Sequence, residues 1–417
     1  MKRRRASTAG SSEMSTQLPQ PADFSAPPSA AQLQRWSDAD AALRPSRLAA
    51  LRARARSEGV DAVLLTLHAD ARYFSGICFG PNEEPTAGVS GWLLISADAF
   101  AIFADSRYTV QARREAALAA PLDPGSDPGA AIAAWATAHG VQRLAADPGA
   151  IRHAVWERIV AAGSGVELVP AKGWSTELRA VKDSTEIERI AAACAVADRA
   201  LAALLPRVVD GATEAELAWL LERGMREGGA EALAFDVAAL AGGNAALPHG
   251  NPGARPFKNG EVALFDFGAQ VAGYRSDMTR TLFVGSASDD DLALYQRVLD
   301  GQQAAITALR SAAERGDAAL PSGREADKIT RAAMAGAPGI YEHGLGHGIG
   351  LQTHEAPSLS SGASELPLPS PTVFSVEPGI YLEDRIGIRI EDLVAVDLAG
   401  RSLRTLTLFP SAPLITG

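Results

Sequence analysis

An aspartate stands inside an apolar run, Val262-Ala263-Leu264-Phe265-Asp266-Phe267-Gly268. A carboxylate there is costly to bury unless it is paired or holds a cation. After a turn containing Gly273, a second aspartate opens the segment Asp277-Met278-Thr279-Arg280. The spacing predicts a hairpin that brings both carboxylates to one face. Pairing with Arg275 or Arg280 would also satisfy Asp266. The pattern returns near the C-terminus. Glu377 ends the apolar run Val373-Phe374-Ser375-Val376 just before Pro378-Gly379, and Arg389 and Glu391 alternate with Ile388 and Ile390. Alternation puts Arg389 and Glu391 on one strand face. A surface turn for Glu377 and a salt bridge between Arg389 and Glu391 are the plain alternatives.

Between these pairs lies Tyr341-Glu342-His343-Gly344-Leu345-Gly346-His347-Gly348-Ile349-Gly350. Its glycines allow close approach of backbone to backbone or ligand. A histidine in such a loop is more readily a ligand or acid/base group than a packed core residue. Asp266, Asp277, His347, Glu377 and Glu391 together make a hard, mostly oxygen donor set. That set suits two divalent ions, Mn²⁺ first, with Co²⁺ or Zn²⁺ as alternatives. A close pair of such ions activates water and holds a carbonyl or phosphoryl oxygen. The chain therefore reads as a metal-dependent hydrolase.

Composition bounds the partners. The 417 residues are 47% hydrophobic and 21% charged, with a net charge of −10, and this length allows roughly two domains. No basic stripe runs through the body of the chain, which argues against nucleic acid. No apolar run reaches the length of about 18 residues that spans a membrane. Cys78 and Cys194 lie far apart with no CxxC, so a reducing cytoplasm is the expected home. The basic start, Met1 to Arg5, is not followed by an apolar segment. Residues 1–44 are expected to form a disordered or partly helical extension, with residues 1 to about 30 rich in Ser, Pro, Ala and Gln.

The first folded unit is expected over 45–175. Pro45 suits the first turn of a helix closed by Gly59. Strands follow at Val63–Leu65, Trp92–Ile95 and Phe100–Phe103, then helices near 107–118, 129–139 and 150–162 and strands near 141–145 and 166–170. Strands alternating with helices indicate an α/β domain. The second unit, 180–417, opens on Asp183 and Glu186 in capping-box spacing. Helices to about Leu205, from Thr213 to Gly228, and at 289–314 and 323–335 flank strands at 262–284 and 373–396. That order indicates an α+β domain.

The four elements in this order resemble the metallopeptidases of the pita-bread fold, the methionine aminopeptidase, prolidase and aminopeptidase P superfamily. The resemblance covers residues about 180–405. It implies that Asp266 chelates one metal, that His347 and Glu377 hold the other, and that Asp277 and Glu391 bridge the two. It further implies acid/base and substrate roles for His249, His343 and His354, a substrate role for Arg389, and a catalytic role for Glu377 as proton acceptor. Asp236 and Asp392 are read as structural. Ala71-Arg72-Tyr73-Phe74-Ser75-Gly76 and Phe103-Ala104-Asp105-Ser106-Arg107-Tyr108 resemble the N-terminal domain of the creatinase, prolidase and aminopeptidase P branch. The segment from Phe79 to Ser90 is a candidate substrate-facing loop.

The resemblance thus implies a dinuclear Xaa-Pro aminopeptidase, with Xaa-Pro peptides as partners and a cytoplasmic homodimer as its form. The alternatives are an Xaa-Pro dipeptidase and, of another class, a non-catalytic peptide-binding protein on the same fold. Metal-free, creatinase-like hydrolysis fits less well, because all five ligand types are in place.

Overall fold

The computed structural model describes residues 18–80, 87–162 and 165–417. The middle of the expected substrate-facing loop, 81–86, and most of the N-terminal extension lie outside the described residues. The chain divides into two units, one of residues 28–185 and one that joins residues 18–27 to residues 186–417.

The first unit is built on a six-stranded sheet. Its strands run Ala120–Leu122, Phe100–Phe103, Leu93–Ser96, Ala62–Leu65, Arg143–Ala146 and Glu167–Pro170 in spatial order. The strands at Leu93–Ser96 and Phe100–Phe103 pair antiparallel, as the polar turn between them predicts. Ala62–Leu65 pairs parallel with Arg143–Ala146, which in turn pairs parallel with Glu167–Pro170. Helices fill the crossovers. Leu64, Leu94, Phe103, Ile132, Trp135, Leu144 and Ile159 form the buried core. The unit runs on through the helix Trp174–Ala180 to Thr185.

The helix expected to open at Pro45 begins at Ala30 and runs to Ser57, with Pro45 in its interior. A proline there removes one backbone hydrogen bond and crowds the preceding turn. Asp40 spans the defect, accepting from Arg44 at 3.1 Å and from Arg47 at 2.8 Å. The Ser46 hydroxyl donates to the Leu43 carbonyl at 2.7 Å. Side-chain bonds thus hold the helix across the break. Residues 18–27 are not a bare tail either. They form a short turn at Pro21–Asp23 and bury Phe24. Arg199 donates to the carbonyls of Pro21 and Phe24 at 3.0 and 3.3 Å.

The second unit carries two larger sheets. One orders Ile415–Thr416, Met278–Val284, Val262–Phe267 and Ala238–Ala241. The other orders Glu355–Leu359, Gly346–Gly348, Thr372–Val376, Asp392–Asp397 and Ser402–Thr405. A two-stranded ribbon, Gly379–Leu382 with Ile386–Arg389, lies in sequence between the Thr372–Val376 and Asp392–Asp397 strands of the second sheet. The helix Asp289–Arg315 is capped by Ser288 and stopped by Gly316 at φ 68°, a conformation glycine takes without strain. Val298, Ile306 and Leu309 from its buried face share one core with Leu264, Phe283, Phe374 and Val394 of the two sheets. The helix Glu214–Glu227 is capped by Thr213, as its sequence predicts. The α/β unit followed by an α+β unit is the class the patterning gives.

Candidate active site

Two strand pairs aim carboxylates at one cavity. Asp266 faces Thr279 across the antiparallel pair Val262–Phe267 and Met278–Val284. Asp277, two residues before Thr279, therefore shares the face of Asp266. The hairpin closes at Ala272-Gly273, both at positive φ, 48° and 82°, the twist that suits a two-residue hairpin turn. In the other sheet, Glu377 follows the strand Thr372–Val376, and Glu391 precedes its partner strand Asp392–Asp397. The strand breaks at Ile390 and Glu391, yet Arg389 and Glu391 both line the same cavity.

That cavity, of about 470 Å³, is lined by Asp266, Asp277, His347, Glu377 and Glu391, and also by His249, His343, His354 and Arg389. The cavity thus brings together the nine residues assigned metal, catalytic or substrate roles by the sequence. Asp236, set aside as structural, also lines it, beside Phe235, Asn251 and Thr353. Asp392 does not. It is buried and receives Arg280 at 2.6 Å. Asp266 therefore takes a different arginine from either one the sequence offered. Arg389 donates to its Oδ2 at 2.6 Å.

The electrostatics of the cluster call for a cation. His347 Nδ1 lies 3.1 Å from the Gly348 carbonyl. A carbonyl only accepts, so Nδ1 carries the proton and Nε2 presents a lone pair. Burial, with His354 adding to it, pushes the His347 pKa down to about 4, so the ring is neutral at pH 7. Nε2 nonetheless faces carboxylate oxygens, Asp277 Oδ2 at 3.6 Å and Glu377 Oε1 at 3.4 Å. Lone pairs turned toward one another repel unless a proton or a metal ion lies between them. Ligand atoms of Asp277, His347 and Glu391 come within 4.8 Å of one another. Glu391 Oε1 is buried without a hydrogen-bond partner among the described residues, a costly state for a carboxylate oxygen. Burial and then the charge of Glu391 push the Asp277 carboxyl well above its ordinary range. Burial and then Glu377 do the same to Glu391. Glu377 is pushed up to about 7, chiefly by burial. The residues fit a divalent metal, which would relieve all of these strains at once.

A hydrogen-bonded chain flanks the cluster. Arg389 Nη1 donates to the Tyr381 hydroxyl at 3.0 Å, and that hydroxyl meets His343 Nε2 at 2.9 Å. His343 Nδ1 lies 2.7 Å from the Gly344 carbonyl, so Nε2 accepts from Tyr381. Burial opposes the charge on Arg389, but Tyr381 and Asp266 outweigh it and its pKa is raised. Burial lowers His354, with His249 adding to it, and the His354 ring stands 4.1 Å from that of His347. Ser375 Oγ donates to Glu377 Oε1 at 3.2 Å. Tyr381, Ser375 and Thr279 escaped the sequence reading. Tyr381 carried a signal, since it alternates with Gly379 on a strand that starts two residues after Glu377. The two hydroxyl residues carried none, because Ser and Thr are ordinary in strands.

Residues 188–397 match metallopeptidase family M24, and residues 47–181 match the creatinase/prolidase N-terminal domain. The chain is 32% identical to the uncharacterized peptidase YqhT of Bacillus subtilis, over 86% of this chain and 96% of that protein. Among solved structures it resembles an Xaa-Pro dipeptidase from Bacillus anthracis. That match has a TM-score of 0.79 and 30% identity, covering 89% of this chain and 99% of that one. It also resembles an X-Pro aminopeptidase from Thermotoga maritima, with a TM-score of 0.73 and 32% identity, over 87% and 100% of the two chains.

Proposed function

Because the chain belongs to metallopeptidase family M24 and carries a creatinase/prolidase N-terminal domain, we propose that this hydrolase cleaves the bond before proline. In this reading it releases the N-terminal residue from peptides with proline in second position. A second reading, Xaa-Pro dipeptidase, is favoured by the likeness to the Bacillus anthracis enzyme. The observation that carries the proposal is one cavity in which His347 Nε2 faces the Asp277 and Glu377 carboxylates and Glu391 Oε1 is buried with no hydrogen-bond partner among the described residues.

The proposed centre takes two divalent ions, Mn²⁺ before Co²⁺ or Zn²⁺. Asp266, Asp277, His347, Glu377 and Glu391 would hold them. When bound, such ions supply Lewis acidity and lower the pKa of water at the site. Glu377, held by Ser375, accepts the proton of the attacking water. His354 is neutral at pH 7 and offers an N–H to the oxyanion that forms. The leaving proline nitrogen is a secondary amine and must be protonated. His249 and His343 stand at the cavity to relay that proton. Arg389 fixes Asp266 and helps seat the peptide. The same reading takes the protein as a cytoplasmic homodimer. Its two cysteines lie in different units, and no helix among the described residues is long and apolar enough to cross a membrane.

Metal analysis of the purified protein, with assays on Xaa-Pro-Yaa and Xaa-Pro peptides in added Mn²⁺, tests the proposal. Stoichiometric metal and turnover of the tripeptide are expected. Turnover of the dipeptide alone selects the second reading. Neither metal nor turnover would sink both.

A further inference from the structure

The two halves of the donor set are joined by threonine hydroxyls. Thr279, fully buried on the Asp277 strand, accepts from Arg389 Nε at 2.9 Å and lies 2.8 Å from Glu391 Oε2. Two neighbours repeat the connection through the backbone. The Glu391 N–H donates to the Thr279 carbonyl at 3.1 Å, and the Thr281 hydroxyl meets both the N–H and the carbonyl of Arg389, at 3.1 and 3.0 Å.

The direction of these bonds follows from chemistry. A guanidinium only donates, and a hydroxyl has one proton. Arg389 Nε fills an acceptor position of Thr279, so the single Thr279 proton goes to Glu391 Oε2. One carboxylate oxygen of Glu391 is thereby fixed. The other, Oε1, is buried with no hydrogen-bond partner among the described residues, and Glu391 lines the cavity. Arg389 in turn holds Asp266 at 2.6 Å. One hydroxyl therefore sets the rotation of Glu391 and ties it, through Arg389, to the carboxylate on the opposite half of the site.

We propose that Thr279 is a positioning residue for the metal centre. It holds one oxygen of Glu391 so that the other is presented to a divalent cation. This rests on the proposed metal-binding reading of the site. Neither an apolar residue of the same shape nor any rearrangement within the strand replaces that proton. Hydrogen-bonded supports of this kind commonly change metal affinity by about 10–100-fold.

The test uses the full-length protein, stripped with EDTA and titrated with Mn²⁺ by calorimetry, with the thermal midpoint of the stripped protein measured in parallel. Thr279→Val should weaken Mn²⁺ binding by about 10–100-fold, while Thr279→Ser, which keeps the hydroxyl, stays within about threefold of the original chain. Should the valine chain not fold, Thr279→Cys, a weak donor, should fall between the two. Unchanged Mn²⁺ affinity in Thr279→Val or Thr279→Cys overturns the proposal. So does an equal loss in Thr279→Ser, or a loss that merely follows the drop in stability of the stripped protein. If the original chain itself binds no Mn²⁺, the metal-site reading fails first and takes the proposal with it.

Discussion

Phe24 lies buried against Phe409, their ring centroids 6.2 Å apart and their planes within 10°. The Phe409 carbonyl accepts from Arg280, which also donates to the Glu391 carbonyl and the Asp392 carboxylate. A residue ahead of both matched domains thus packs on a segment that braces a metal-site strand. Phe24→Ala should destabilise the protein by about 3 kcal/mol, the usual cost of emptying a core phenylalanine site. The denaturant midpoint reads this directly. An unchanged midpoint would show that the contact is incidental.

Asp277 is buried beside the carboxylates of Glu391, Asp266 and Glu377, and its carboxyl is pushed well above its ordinary range, first by burial and then by Glu391. Asp277→Asn should lower kcat/KM by more than about a hundredfold, a loss beyond that of a supporting residue, and should abolish stoichiometric metal. The stripped variant should melt no lower than the stripped original, because one repelling charge is gone. Retained activity would remove Asp277 from the centre.

The metal-free protein should lose stability as pH rises through the window between the ordinary carboxylate range and about 7. Glu377 and Asp198 are both pushed up to about 7, chiefly by burial. In that window the folded chain holds protons that the unfolded chain has shed, so their contribution is full at low pH and declines upward. Thermal midpoints of EDTA-treated protein from about pH 4 to about pH 7 should fall. Saturating Mn²⁺ should remove the part due to Glu377, Asp277 and Glu391, whose carboxyls are raised in the same direction, and Asp198→Asn the part due to Asp198. A midpoint that rises across this window contradicts the assignment.

His354 faces the cavity beside His347 with its pKa lowered by burial. His354→Ala should cut kcat by roughly 10²–10³, as loss of one oxyanion donor does, with metal content intact. Loss of metal in this variant would instead make His354 part of the metal shell.

Several of the candidate site residues stand out because they break a local pattern, while His249, His343 and His354 enter only through the family resemblance. Asp266 interrupts an apolar strand, Glu377 precedes a Pro-Gly turn, and His347 sits among glycines. Thr279 and Ser375 were silent because a hydroxyl in a strand satisfies ordinary propensity, and only the three-dimensional neighbours give it a task. Asp236 was dismissed for want of a motif, since nothing along the chain places it beside His249. In the fold, Pro45 misled for a physical reason. Proline usually opens or ends a helix, and the compensating contacts come from Asp40 and Arg47, whose pairing no spacing rule announces.

The carboxylates of the centre come from two hairpin regions, Asp266 and Asp277 from one and Glu377 and Glu391 from the other, with the helices Asp289–Arg315 and Gly323–Ala333 between them. Synthesis proceeds from the N-terminus at about 5–20 residues per second, so a nascent chain displays the two aspartates for seconds before the glutamates exist. The centre is complete only when the last strands have left the ribosome and paired. Until then the chain holds two aspartates without their glutamate counterparts, so a metal held by all of these residues would load late, after the second hairpin region has emerged.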